Sequence, residues 1–529
     1  MKRNTFIKTF FLLLTPLLLT VSCKEEWDEH YYSGVTERSE LNLYDYIKSK
    51  PDLSTFTQML ELTGYDKILS ENQTYTVWAP SNESLAEFDL TNEDLLLKTV
   101  RNHITRFSIP TSGIINRRMQ MMNNKFLHFV RGTNSYTLEG RTVIQSDIAV
   151  NNGTLHLLGD YVPYIYNIWE YIAIAEGIDS VRNYINGLTK LEFDVDKSFV
   201  DGVLMDSVFT ETNNVLTYLA QLNREDTTLT ALFPDNAAWN NQYNKVFPFY
   251  KTLEVDGGDL AQIENTKWTI VKDLFFRGAV KSPFSSDSIR STYLTQLSNA
   301  PEIFSGSEPV VMSNGLSYIS SSLNHKPSET WYKPIRIEAE NTSYGRQAGS
   351  YDVTINSSIG TGFAVSGGNY INARATSTLS TARLFINFPI PNTLSAKYNV
   401  YAVFVPTFIT DTINLKPYKL RFSLNYDYVD GVKRDSIWVA ENGFVKIHTQ
   451  AKVFITDPRE ITKVLVLENY EFPWANLYSN ANISQTDFIT TNKIRVGLRV
   501  ENATGTTIAE RLSYNRDIRI DCIILEPVE

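Results

Sequence analysis

Only two cysteines, Cys23 and Cys522, occur in the 529 residues. Two thiols cannot build a disulfide framework, so ordinary hydrophobic cores must hold the fold. The apolar run from Phe10 to Val21 is too short to span a bilayer comfortably. No basic stripe is present: 49 Lys+Arg stand against 59 Asp+Glu, for a net charge of −10. That balance disfavours nucleic acid as a partner. No low-complexity segment interrupts the chain, which reads as globular throughout. GxSxG, HExxH and a phosphate-cradling glycine loop are all missing, which removes the commonest enzyme signatures. Carboxylates are abundant, so composition alone leaves a glycosidase pair open.

What is there begins at the N-terminus. Lys2, Arg3 and Lys8 precede the apolar run, which ends at Ser22-Cys23. A small residue before a cysteine marks a cleavage site. LLTVSC resembles a bacterial lipobox, and that resemblance implies a signal peptide over residues 1–22 and acyl chains, palmitate among them, on Cys23. The other reading is an ordinary secretory cut near Ser22. Several acyl chains on one residue give stable membrane anchoring. The acidic run Lys24-Glu25-Glu26, Asp28, Glu29 lies in a tether, residues 23–39. It resembles the export signal of Bacteroidota surface lipoproteins, implying an outer-membrane protein facing the cell exterior. The plainer reading is a solvated linker.

A unit then occurs twice. LYDYI from Leu43 returns as IWEYI from Ile168, and YTVWAPSNESL from Tyr75 returns as LTALFPDNAAW from Leu229. Each pair predicts a helix followed by a strand closed by proline. In the first copy Ser81 or Asn82 is expected to cap a helix from Glu83, and a second helix is expected from Thr91 with Leu96, Val100, Ile104 and Phe107 on one face. The unit closes on SDIAVNNGTLHLLGDYV, with a turn at Asn152-Gly153 feeding a strand. The first offset is 125 residues and the second 154, so the second copy carries 29 more, placed in a hairpin over Leu191 to Phe209. SNGLSYI reads as the counterpart of NNGTLHLL, with Tyr318 in the place of His156, and KDLFFRG replaces the segment around His103. The pair His103 and His156 could hold a metal or act as a base. Their loss from the second copy favours core-edge histidines bonded to backbone.

TYTVWAPSNESL, Asn102-His103-Ile104 and DIAVNNGTLHLL, in that order, resemble the fasciclin domain family. The resemblance covers residues 40–165, and residues 166–333 read as a divergent second domain. It implies tandem α+β domains and a binding or adhesive role. Asn102 stands where the family usually has tyrosine, which leaves integrin adhesion unsupported.

From Ile335 the texture turns all-β. Leu384, Ile386 and Phe388 alternate, as do Leu420, Phe422, Leu424 and Tyr426, and Ile494, Val496, Leu498 and Val500. This predicts an antiparallel sandwich over 334–529, a jelly roll. Cys522 alternates with Ile520 and Ile524 and reads as a buried, inert thiol. The opening IEAEN and closing RIDCIIL resemble the end strands of calcium-containing jelly-roll carbohydrate-binding modules. That resemblance implies a structural calcium at Glu338, Glu340 and Asp521; three solvated acids are the other reading. Stacking on a sugar needs exposed rings. The best candidates are Trp474, Tyr478 and Tyr470 in ENYEFPWANLYSN, which reads as a loop, ahead of Tyr344, Tyr351 and Tyr370.

The chain is thus expected to be non-enzymatic and to bind. The layout resembles accessory lipoproteins that work beside an outer-membrane TonB-dependent transporter and its lid lipoprotein, capturing glycan or peptide. The alternative is an adhesin or scaffold contacting proteins, cells or matrix.

Overall fold

The computed structural model describes residues 38–528, apart from 114–115, 134, 201, 349–350, 376–382, 428–433 and 480–487. Cys23, the leader and most of the acidic tether lie outside the described residues. Among the described residues no helix is long and apolar enough to cross a membrane. The chain divides into two compact units. One is built on residues up to Asn167; the other runs from Ile168 to the C-terminus, except that 224–227 and 312–314 belong to the first.

The first unit opens with helices α1 (Leu43–Lys48), α2 (Ser54–Leu62) and α3 (Tyr65–Ser70). Strand β1 (Tyr75–Pro80) follows, then α4 (Glu93–Asn102), β2 (Ile104–Arg106), β3 (Asn116–Gln120), β4 (Phe126–Arg131), β5 (Tyr136–Leu138), β6 (Arg141–Val150) and β7 (Gly153–Leu158). The strands form one sheet in the order β2-β1-β7-β6-β5-β4-β3. β1 is central, pairing parallel with β7 and antiparallel with β2, and all six of its residues are buried. The helices bury Leu43, Ile47, Phe56, Met59 and Leu69 against Val77, Leu96, Val100 and Leu155.

The helix expected from Glu83 does not form; residues 82–87 are turns. Asn82 caps a different helix. Its Oδ1 accepts from the Thr55 N–H at 2.9 Å, and its side-chain amide donates to Pro51 O and Ser54 Oγ. It thereby serves the N-terminus of α2, whose own cap residue, Leu53, offers no side-chain acceptor. Ser84, meanwhile, bonds back to Ser81 O, a local bond that competes with helix. The next helix starts at Glu93, capped by Asn92 rather than Thr91, because the Thr91 hydroxyl is bound to Asp89 at 2.6 Å. Replacing Asn82 by alanine is expected to cost about 1–2 kcal/mol in a denaturant titration; an unchanged midpoint would refute this long-range cap.

The second unit repeats the plan. Helices α5 (Ile168–Ile174) and α6 (Asp179–Gly187) precede β8 (Leu229–Pro234), α7 (Asn236–Val246), α8 (Gly258–Val271), β9 (Phe275–Arg277), β10 (Val310–Met312) and β11 (Gly315–Ser320). The sheet order is β9-β8-β11-β10, with β8 parallel to β11. Asn236 matches Asn82, accepting from the Ser180 N–H at 2.9 Å at the start of α6. Here the expected helix after the proline does form, since Asp235 caps it through Ala238 N. The extra residues form the expected hairpin, in which Thr189–Phe193 pairs with Phe209–Asn213.

The rest is a two-sheet antiparallel sandwich. Its strands are β12 (Ile335–Glu338), β13 (Gln347–Ala348), β14 (Tyr351–Ser357), β15 (Asn369–Ala375), β16 (Phe385–Pro389), β17 (Lys397–Phe404), β18 (Lys419–Asp427), β19 (Arg434–Ala440), β20 (Gly443–Val445), β21 (Phe454–Ile455), β22 (Thr462–Glu471), β23 (Val496–Asn502) and β24 (Ile518–Pro527). One sheet runs β14-β15-β24-β17-β22 with β12 also on β24; the other runs β13-β16-β23-β18-β19-β20 with β21 on β18. Pro334 is not a gap in packing. Val246, Tyr250, Trp331 and Tyr332 of the second repeat join the sandwich core, beside Phe388, Tyr398 and Phe422. A nearly buried two-pronged ion pair between Asp256 and Arg495 reinforces the junction.

Candidate functional site

β12 lies antiparallel to β24 and places Glu338 opposite Cys522. β24 carries a bulge: Val403 pairs with Cys522 and Phe404 with Ile520, leaving Asp521 unopposed. Such an extra residue re-aims its neighbours. Ile518 and Ile520 face the main core, and so do Ile523 and Leu525, whereas Cys522 and Ile524 pack apart with Val403. The simple alternation expected of Ile520, Cys522 and Ile524 is therefore broken at Asp521.

Carboxylate oxygens of Glu338 and Asp521 and the Cys522 Sγ lie within 4.8 Å of one another. Glu340 is not among these three groups, although its charge acts on Asp521. The Ser366 N–H donates to both Asp521 oxygens at 3.1 Å, and its hydroxyl donates to Glu338 Oε1 at 2.5 Å. Glu338 Oε2 and Glu340 Oε2 are buried with no hydrogen-bond partner among the described residues. Burial, with the Glu338 and Glu340 charges adding to it, pushes the Asp521 carboxyl up to about 6. Burial and Glu338 raise Glu340 as well. Crowded acids with orphaned oxygens have the chemistry of a hard-cation site. Ser366 was missed in the sequence; the Ser366-Gly367-Gly368 turn, with Gly367 at φ +61°, was the available signal.

Burial pushes the Cys522 thiol up to about 12. It is protonated at neutral pH and a poor metal ligand. A thiol reagent is expected to leave Cys522 unlabelled in the native protein and to label it on unfolding; rapid native labelling would contradict its burial.

The three ring candidates have separate surroundings. Tyr470 lies on β22, not in a loop, and packs edge-on to Phe444 and Phe472 with its hydroxyl on Tyr426. Trp474 is half-buried and carries the Lys251 ammonium 4.6 Å from its ring centre. Tyr478 is half-buried and meets Tyr344 edge-on at 6.0 Å.

His103 and His156 are fully buried. His103 Nδ1 donates to Thr99 O at 2.9 Å, and its Nε2 accepts from Val162 N at 3.0 Å. His156 Nε2 donates to Ile109 O, its Nδ1 accepts from Asp147 N, and its ring stacks on Trp78. Every ring nitrogen is spent on backbone, which leaves no lone pair for a metal or a substrate proton. In the second unit the register sets Tyr318 opposite Leu232 as His156 is opposite Trp78, and Leu274 O accepts from Leu232 N as His103 O does from Trp78 N.

The family model of the Fasciclin domain matches residues 51–162. This fasciclin domain takes in α2, α3, α4, the sheet from β1 to β7, and His103 and His156. No curated protein matches the chain significantly. Among solved structures, a domain pair from the insect cell adhesion molecule Fasciclin I is similar at 15% identity, covering 53% of this chain and 98% of that one, with a TM-score of 0.21. A family 35 carbohydrate-binding module from Clostridium thermocellum is similar at 8% identity over 37% of this chain and 99% of that one, TM-score 0.16. A Paenibacillus xanthan lyase is similar at 12% identity over 41% of this chain and 16% of its own, TM-score 0.21. At such scores the likenesses settle neither fold nor function.

Burial lowers the His103 pKa to about 4. An unfolded histidine titrates near 6.5, so between these values the unfolded chain binds the extra proton and stability falls as pH falls. The fasciclin domain is expected to lose up to about 3 kcal/mol through His103 between pH 7 and pH 4. His103→Leu, the residue at the equivalent place in the second copy, should lower stability at pH 7 yet flatten that acid slope. An equally steep slope in the variant would assign it elsewhere.

Proposed function

We propose that this chain is a non-enzymatic binding protein of the cell surface. In this reading it is acylated at Cys23, held on the outer face of the outer membrane, and works beside a TonB-dependent transporter and its lid lipoprotein in capturing glycan or peptide. The sandwich serves as the ligand-binding module and the two fasciclin-like domains as its carrier. The observation that carries the reading is the carboxylate junction on the first and last sandwich strands. Glu338 and Asp521, with Glu340 near, offer hard oxygens suited to a structural calcium that would pin the end strands together. The two repeats share their framework, but the second has neither histidine, with Leu274 and Tyr318 in their places, which fits carriers better than catalysts.

An adhesive or scaffolding role is the second reading, favoured by one feature. The inserted hairpin exposes Leu191, Val203, Met205 and Phe209, each by more than half, and clustered exposed apolar residues suit protein contact. Affinity purification of the full-length protein from detergent-solubilised outer membrane tests the two readings. Near-equal recovery of a transporter and its lid lipoprotein supports uptake. Recovery of the protein alone would sink a stable uptake complex and favour adhesion.

A further inference from the structure

The two outer strands of the first unit's sheet, β2 and β3, meet along a seam that is only partly closed. At one end Met122 N donates to Ile104 O at 2.8 Å, and the Thr105 hydroxyl donates to Gln120 O. Past that point the pairing stops. Hydrogen bonding alternates along an antiparallel ladder, so every second residue of an outer strand turns its backbone away from its neighbour. On β2, Phe107 N donates to Thr74 O on the β1 side, which turns the Arg106 N–H and C=O into the seam. On β3, Arg118 stands opposite His128, whose own N–H and C=O are both used by Glu139, so the Arg118 backbone also faces the seam. Neither has a backbone partner there among the described residues.

Between these edges lies a cleft of about 380 Å³, room for a short stretch of ligand. Ile109 and Met119 give it an apolar wall, and Arg106, Arg117 and Arg118 edge it, with no carboxylate among the described lining residues. All three arginines are exposed. The Arg118 guanidinium lies 4.2 Å from the Phe126 ring centre and donates to Glu225 O. Arg106 and Arg117 have no ion pair or side-chain hydrogen bond among the described residues. In a chain of net charge −10 this is a local reversal of sign. Phe107 also lines the cleft, 75% exposed and at φ +72°, a conformation that bulky residues rarely adopt. The Thr74 carbonyl and the Thr76 hydroxyl, which donates to Phe107 O at 2.7 Å, hold its backbone there. A strained backbone that keeps an aromatic ring in solvent adds nothing to the core, and such strain collects at binding sites.

We propose that this cleft binds an acidic peptide of a partner protein, laid along the seam as a short extended strand. Its backbone bonds to the open edges at Arg106 and Arg118, its carboxylates meet the Arg106 and Arg117 guanidiniums, and an apolar side chain packs on Phe107. Charge selects the occupant, since three arginines without an acid repel a basic strand. The inference gives the first fasciclin domain a ligand of its own, beyond the carrier role above. Glycan capture by the sandwich stands or falls separately.

Calorimetric titration of the full-length protein with a capped peptide alternating valine and glutamate tests it, beside the same peptide with glutamine for glutamate. The acidic peptide is expected to bind about tenfold more tightly than the glutamine one, and more weakly as salt rises. Arg106→Gln and Arg117→Gln should each lose about tenfold in affinity with the unfolding temperature unchanged. Phe107→Gly should weaken binding while keeping or raising stability, because glycine accepts φ +72° freely. Equal binding of the two peptides, no binding of either, or full affinity in Arg117→Gln overturns the inference. Self-association of the protein alone, abolished by Arg117→Gln in sedimentation, would put a second copy in the cleft. A gain in peptide affinity on changing Glu25, Glu26, Asp28 and Glu29 to glutamine would give the cleft to the chain's own tether. Either result overturns a partner peptide. Should a variant misfold, the comparison of the two peptides on the unsubstituted protein still decides.

Discussion

Calcium added to the metal-stripped protein is expected to raise its unfolding temperature by about 5 °C or more once calcium exceeds its dissociation constant a hundredfold. A ligand that binds only the folded state stabilises by about 2.7 kcal/mol at that excess, worth a few degrees per kcal/mol in a domain this large. The sign of the pH dependence follows from Asp521. Its folded carboxyl titrates at about 6, above the ordinary value of 3.8. Without metal, the folded state binds the extra proton between those values, so this group's contribution is present at low pH and lost as pH rises through 6. At pH 7.5 the crowded acids repel, and calcium should relieve them; at pH 5 protons compete and the shift should shrink. Asp521→Asn should therefore abolish the calcium response while raising metal-free stability at pH 7.5. A spectator acid would move neither quantity. Differential scanning fluorimetry in EDTA and in calcium at both pH values reads all four results, and an unchanged calcium shift in Asp521→Asn would remove Asp521 from the site.

Gly315→Ala is expected to be among the most damaging single substitutions in the chain. Gly315 opens β11 at φ +144°, and a Cβ there would sit 1.8 Å from the Leu229 carbonyl oxygen. That oxygen belongs to β8, in the middle of its sheet, and cannot move aside without breaking strand pairing. Gly153 holds the same place in the first unit, where a Cβ would come within 2.0 Å of Tyr75 O and 2.9 Å of Leu43 Cδ1. Backbone contacts this short exceed ordinary overpacking, so each alanine should cost about 3 kcal/mol or more. Urea unfolding of the two variants measures this. A loss below about 0.5 kcal/mol would show that the strand entry relaxes freely. The two glycines are the Gly of NNG and of SNG, so the repeat is defined by a close backbone approach as much as by its apolar pattern.

That glycine, the strand-proline-asparagine string and the inserted hairpin were legible in the sequence because each is a local pattern with a local cause. Tyr318 in the place of His156 was legible for the same reason, since register follows once two strands are matched. What escaped depends on contacts between distant residues. Asn82 looked like the cap of the residues after it, but its acceptor is used by α2, 27 residues earlier. The bulge at Asp521 leaves no mark on an apolar-polar alternation, yet it decides which side chains reach Glu338. Tyr470 seemed to sit in a loop because Asn469, Glu471 and Pro473 surround it, whereas β22 runs through Glu471. The shared core across Pro334 was invisible for a simpler reason: Tyr250 and Trp331 carry no sign of which domain they will fill.

Exposure of the full-length protein, with calcium present, to a defined panel of neutral and acidic glycans tests most directly that this chain binds sugars without cutting them. Bound material is eluted and weighed by mass spectrometry. The expected result is retention of at least one glycan class, with every recovered chain at its original mass. Retention of no glycan, or recovery of shortened chains, would contradict the account.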